Sequence, residues 1–87
     1  MELQRERNQI FAVGDDGTLL CQVTFPEEDG VAVIDHTFVH ESLRGQGVAG
    51  LLMREAVEAI RAQGWKLRAT CPYAVGWLEK HPQEDLT

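Results

Sequence analysis

At Gly47 the hydrophobic rhythm of this chain changes, and that change constrains its fold more than any other feature of the sequence. Before it the apolar residues alternate or run together in short stretches. "QIFAV" (9–13) reads as a strand ending at "GDDG", whose Asp16-Gly17 pair favours a tight hairpin turn. "TLLCQVTF" (18–25) follows, with Leu20, Gln22 and Thr24 alternating against Leu19, Cys21, Val23 and Phe25. "PEEDG" supplies a second turn, in which Gly30 takes a positive φ. "VAVIDHTFVH" (31–40) is β-branched and apolar on both faces, the pattern of a central strand buried on two sides. After Gly47, residues Val48, Leu51, Leu52, Ala56, Ala59 and Ile60 fall at three- and four-residue steps, so 48–63 is an amphipathic helix capped by Gly64. "WKLRATC" (65–71) is a fourth strand, and Pro72 opens a short helix running to Lys80, with His81 and Pro82 ending it. The order is β-β-β-α-β-α. A β-α-β passage implies one crossover between parallel strands, and the expected fold is a small α/β (α+β) sandwich on a mixed, mostly antiparallel sheet.

The junction itself, "LRGQGVAGLL" (43–52), fits two patterns. Gly45, Gly47 and Gly50 spell G-x-G-x-x-G, the dinucleotide fingerprint. That motif requires its first glycine directly after a strand and an acid about twenty residues on. Here "ESLR" intervenes, and the count from Gly50 reaches Thr70 and Cys71. A chain of 87 residues is also too short for two βαβ halves, and no GK[ST] follows as a P-loop would need. The second pattern, R-x-x-G-x-A from Arg44, has a direct physical meaning. A glycine-rich turn entering a helix leaves N–H groups unpaired at the positive end of the helix dipole, a ready seat for a diphosphate. Gly45 and Gly47 let the backbone bend and approach the phosphates, and Arg44 adds a charge-assisted contact. The same glycines are equally compatible with a cap whose only task is packing.

Charge and cysteine usage narrow the partners. Fourteen acids against eight bases give a net charge of −6, with no basic stripe for nucleic acid. No apolar run approaches the ~20 residues of a membrane span. The polar start "MELQRERNQ" is unlike a signal peptide, and two cysteines fifty positions apart read as reduced, cytoplasmic thiols. One domain over 1–87, monomeric or weakly dimeric, is the expectation.

Cys71 is the principal candidate for chemistry. It ends a strand and precedes Pro72, the N-cap position of the last helix, where the dipole and free N–H groups favour a thiolate. Cys21, mid-strand, is a core thiol by the same pattern. His36 and His40 lie four apart on one expected strand face, as a base or a metal pair; no third ligand accompanies them, so no metal is expected. Trp65 and Trp77 are packing residues, without the ladder that base stacking needs.

The stretch "HTFVHESLRGQGVAGLLMREAVEAIRAQGWKLRATCPYAVGWLEKHPQ" resembles the GNAT superfamily of acetyl-CoA-dependent N-acetyltransferases. More narrowly it looks like a short, single-domain branch with a "C-P-[YF]" step and a late "H-P". Arg44, Gly47 and Ala49 match the superfamily loop [RQ]-x-x-G-x-[GA]; Cys71-Pro72-Tyr73 stands at the next strand end. The resemblance implies an acetyl-CoA co-substrate whose pyrophosphate is cradled by the amides of Arg44, Gly45, Gln46, Gly47, Val48 and Ala49. It implies a pantetheine arm along Phe38 and Val39, and a thioester brought near Thr37 and Cys71. Tyr73 is either the proton donor to the leaving CoA thiolate or a wall of the channel, and His36 a base for the incoming ammonium. The acceptor is a small-molecule or peptide amine. Longer members build its site from helices between the first two strands and from later strands, which this order of elements lacks. A non-catalytic CoA-binding module is the alternative.

Overall fold

The alternating runs before Gly47 do pair as strands, in a computed structural model that describes residues 1–84; the last three residues of the expected 1–87 domain lie outside the described residues. Strands β1 (Gln4–Glu6), β2 (Gln9–Val13) and β3 (Leu19–Thr24) form an antiparallel meander. Then come β4 (Glu27–Glu28), β5 (Val31–Ile34), β6 (His36–Val39), a 3-10 turn (Glu41–Leu43) and helix α1 (Val48–Gln63). Strand β7 (Lys66–Ala69), helix α2 (Pro72–Lys80) and a 3-10 turn (Pro82–Glu84) complete the order. Gly64 ends α1 in the left-handed conformation (φ 76°), its N–H bonding Arg61 O while Trp65 N–H bonds Ile60 O.

Two strands escape the hydrophobic pattern for the same reason. β1 is fully exposed and charged, so nothing in its composition alternates; it is held by main-chain pairing with β2. β4 lies in the segment expected to be a turn, and only Asp29-Gly30 turns. Their φ values, 53° and 81°, are both positive, as a two-residue hairpin loop between Glu28 and Val31 requires.

The expected central strand 31–40 is not one strand. It breaks at Asp35 into β5 and β6, which belong to different sheets: one of order β1-β2-β3-β6, the other β4-β5-β7. Hydrogen bonding explains the break. The Ile34 carbonyl accepts the N–H groups of both Thr70 (3.0 Å) and Cys71 (3.2 Å), tying β5 to the β7 side. One residue later the Asp35 N–H donates to Thr24 O and the Asp35 carboxylate accepts the Thr24 hydroxyl, which hands the chain to β3. β5 and β7 are the parallel pair; every other pairing is antiparallel. The strand also stops short of His40, which caps the 3-10 turn: its Nδ1 accepts the Ser42 N–H at 3.1 Å. His36 and His40 therefore do not share one strand face.

The core lies between α1 and the sheets. Val48, Leu52, Met53, Ala56, Val57 and Ile60 form the buried stripe of α1 and pack with Ile10, Val23, Phe25, Ile34 and Leu67. Each large side chain contributes about 1.5–3 kcal/mol of burial. α2 adds Ala74, Trp77 and Leu78 on the same core, and Cys21 is completely buried. Trp65 packs half-buried with the Arg7 guanidinium 5.0 Å above its ring. No polar side chain is buried among the described residues, and no described helix is long and apolar enough to cross a membrane.

Candidate cofactor loop and active cleft

The loop before α1 is built to leave donors free. Gly45 (φ 81°) and Gly47 (φ 77°) are both left-handed, and Gly47 stands at the helix N-cap without a side chain to close on the first turn. Among the described residues the N–H groups of Gly45 through Gly50 make no hydrogen bond of full geometry; the first is Leu51 N–H to Gly47 O, 3.1 Å. No acidic residue occupies the first turn to neutralise this positive end. A Cβ added at either left-handed glycine would meet no atom within 4 Å, so neither is small because of a neighbour; the requirement is backbone conformation and an open approach. Arg44 turns back so that its Nε donates to Val39 O at 3.4 Å, and Gln46 Nε2 donates to Ser42 O at 3.3 Å. Arg44, Gly45, Gly47, Val48 and Ala49, with Val39 and Tyr73, surround a depression of about 180 Å³. Bare N–H groups and missing Cβ atoms are what a diphosphate fits.

From this depression an unpaired strand edge leads inward. β6 pairs with β3 on one side only, while β7 pairs with β5, so a gap opens between β6 and β7. The His40 N–H donates to Leu20 O. By antiparallel alternation Phe38 and His36 also direct their main chains toward β3, leaving those of Thr37 and Val39 on the open edge. The main-chain contacts available there are thus Thr37 and Val39 rather than Phe38, whose ring lies on the opposite face.

The gap closes where Thr37 Oγ1 meets Cys71 Sγ at 3.4 Å. Cys71 is the extended N-cap of α2 (φ −66°, ψ 125°), with Pro72 at the first helical position. Partial burial pushes the thiol upward and is the largest single influence. The Thr37 hydroxyl, the N–H groups of Ala74 and Tyr73, and the Thr37 backbone together outweigh it, so Cys71 is held below its ordinary value. None of these N–H groups closes a full cap hydrogen bond on the sulfur; their effect is that of dipoles aimed at it. Cys21 has only burial acting strongly, and it is raised.

The structure thus brings together Thr37, Cys71, the open edge and the glycine loop, with Tyr73 at the loop depression. It does not bring His36 to them. His36 is exposed on the face of β6 opposite Thr37, across from Thr24. A wider hollow of about 710 Å³ lies elsewhere, lined by Glu6, Arg7, Asn8, Gln9, Thr24 and Asp35 along with Pro26. Its size does not make it the cofactor site: it offers no free helix start, and Arg7, the cation in its lining, is already paired with Glu27. Sequence reasoning had no means of finding this hollow, because it depends on the unanticipated strand β1.

Comparison with known proteins follows the geometry. The model of the GCN5-related N-acetyl-transferase family matches residues 10–86. A GCN5-like protein of Staphylococcus aureus has 31% identity and a TM-score of 0.79, over 98% of this chain and 85% of its own. Ribosomal-protein-alanine N-acetyltransferase of Brucella melitensis has 25% identity and a TM-score of 0.58, over 91% of this chain but 60% of its own. The aminoglycoside N-acetyltransferase AAC(6')-Iy, solved in complex with CoA, shares the fold at 18% identity and a TM-score of 0.58, over 97% of this chain and 71% of its own. A search of curated protein sequences returns no match.

Proposed function

Because this chain belongs to the GCN5-related N-acetyltransferase family, we propose that it transfers an acetyl group from acetyl-CoA to a primary amine. The observation that carries the reading is the junction at Gly45–Gly50. Its free N–H groups lie at one end of an unpaired strand edge, and a thiol held below its ordinary value lies at the other. The amides of the loop hold the pyrophosphate, with Arg44 as its cation. The main chains of Thr37 and Val39 take the pantetheine as an added strand would be taken. Cys71 Sγ, as thiolate, attacks the thioester carbonyl carbon; the bond to the CoA sulfur breaks, and the Tyr73 hydroxyl gives the departing thiolate its proton. The amine then attacks the acetyl-cysteine, the Cys71 thiolate leaves, and the proton lost by the amine returns to Tyr73. The amine approaches from the hollow beside Asp35, where the Asp35 and Glu6 carboxylates favour a cation. His36, on that outer face, is the candidate to take the ammonium proton first.

Ligand-dependent melting tests this reading. At a CoA concentration of about a hundred times Kd, binding to the folded state alone contributes ~2.7 kcal/mol. For a domain of this size that is a rise in Tm on the order of 10 °C. NAD, which lacks the pantetheine arm, is expected to produce no comparable rise. An unchanged Tm at millimolar CoA contradicts the reading. CoA binding without release of free thiol across a panel of polyamines, amino acids and peptide N-termini leaves a CoA-binding module instead.

A further inference from the structure

The hollow assigned above to the incoming amine has a fixed hydrogen-bonding polarity. Glu6, Gln9, Thr24 and His36 are successive Cα partners across β1, β2, β3 and β6, so their side chains form one row on one face of the sheet. It is the face turned away from α1, because the alternate row holds the buried Ile10 and Val23. A carboxylate only accepts, so Gln9 must turn its Nε2 to Glu6 Oε1 (2.6 Å) and its Oε1 to Gln22 Nε2 (2.8 Å). The Thr24 hydroxyl likewise donates to Asp35 Oδ1, and Asn8 Nδ2 donates to the Phe25 carbonyl at 3.1 Å. Arg7 is drawn off to Glu27 at 3.0 Å and lies 5.0 Å over the Trp65 ring. Each donor-bearing side chain of the lining is thereby committed to a protein acceptor or ring. Glu6 Oε2, Asp35 Oδ2 and Asn8 Oδ1, in contrast, accept no hydrogen bond among the described residues.

We propose that the acceptor is an aliphatic diamine or polyamine: one nitrogen is acetylated, and a second, still protonated, is held by the Glu6 and Asp35 carboxylates. The inference rests on the acetyltransferase reading above and names the class of amine which that reading leaves open. The attacking nitrogen must first lose its proton, to His36 at the end of the row, so a monoamine is uncharged when it reacts. A second ammonium stays charged throughout and keeps its ion pairs through the transition state. An amino acid fails for the opposite reason: its carboxylate would face acceptor oxygens and two negative charges, with the lining's cation already paired. Thr24, which holds Asp35, and Glu6 stand two strand spacings apart, about 9.5 Å, so the negative charge is spread along the row. An extended, flexible polycation suits that spread, and the hollow's 710 Å³ is within the ~300–1,000 Å³ of small-molecule sites. The net charge of −6 attracts every amine alike; the row supplies the discrimination.

Steady-state release of CoA thiol with three acceptors of equal chain length tests the proposal: 1,4-diaminobutane, n-butylamine and 4-aminobutanoate. At low salt, kcat/KM for the diamine is expected on the order of tenfold above the monoamine, since an exposed ion pair gives at most about fivefold and two carboxylates act. 4-Aminobutanoate is expected below both. Glu6→Gln and Asp35→Asn each keep a carbonyl oxygen for the Gln9 amide or the Thr24 hydroxyl and remove only the charge. Each is expected to cut the diamine-to-monoamine ratio several-fold. Equal kcat/KM for diamine and monoamine in the unaltered protein overturns the proposal, as does a ratio untouched by both substitutions, or best turnover with 4-aminobutanoate. In those cases amines are still acetylated and the acetyltransferase reading stands. If CoA binds and no amine is acetylated, that reading falls and this proposal with it.

Discussion

Replacing Cys71 with alanine is expected to reduce acetyl transfer by on the order of 10³-fold or more, while CoA affinity stays within about twofold. The two effects separate because the parts are separate. The donors proposed for the pyrophosphate are main-chain groups of Gly45–Gly50, 21 to 26 residues and a whole helix before the thiol. The sulfur lies at the far end of the open edge, beside Thr37. The truncation removes one half-buried sulfur and no backbone bond, since Cys71 N–H still reaches Ile34 O and Val75 N–H still reaches Cys71 O. A stability loss of about 1 kcal/mol is the ordinary consequence of such a change. Steady-state release of CoA thiol gives the first number and calorimetry the second. Full activity in Cys71→Ala would make the cysteine a packing residue and the proposed acyl transfer through it wrong.

Replacing Gly47 with valine is expected to weaken CoA binding on the order of 100-fold. Two arguments combine. The position sits at φ 77°, where a β-branched residue is a steric outlier, so the loop must distort and at least two N–H donors lose their aim. Hydrogen bonds to a charged group contribute about 1.5 kcal/mol each at the low end, so two lost bonds account for the factor. The new side chain meets no protein atom within 4 Å, which places it in the space that a phosphate needs. The fold is expected to survive: forcing an L-residue into the left-handed region costs roughly 1–2 kcal/mol, against the 5–15 kcal/mol typical of a domain. Gly47→Asn is the control, because asparagine tolerates that φ at lower cost and isolates the effect of adding a side chain. Melting without ligand separates lost binding from lost structure. If Gly47→Val unfolds the chain, the glycine serves the fold rather than the ligand.

Much of this arrangement was legible in the amino acids because it depends on local rules. The α1 limits, the left-handed Gly64 after it, Pro72 at the first turn of α2 and Cys71 just before it are each fixed by a residue with one strong conformational preference. The parts that were not legible are the ones decided at a distance. Nothing in "VAVIDHTFVH" announces that Asp35 parts two sheets, because the cause is competition between Thr70, Cys71 and Thr24 for neighbouring backbone groups. That same break swings β6 away from β7 and creates the open edge, so the unanticipated kink is what makes the cleft. β1 and β4 are polar strands held by backbone pairing, and hydrophobic alternation is blind to them. The histidine pair shows the same limit: spacing of four implies a shared face only while the strand continues, and it ends before His40.

The claim that the loop delivers a thioester to an activated Cys71 is tested most directly by alkylation of the two cysteines across pH, with and without CoA. Cys71 is held below its ordinary value, so its thiolate persists as pH falls, and its half-maximal reactivity is expected below the ~8.5 of a free thiol. Cys21, completely buried and raised by that burial, is expected to stay unmodified in the folded protein and so serves as the internal reference. Bound CoA is expected to protect Cys71 without affecting Cys21. Reactivity of Cys71 that follows the free-thiol pH curve and is indifferent to saturating CoA would contradict the account: the thiol would be neither activated nor in the cleft where CoA ends.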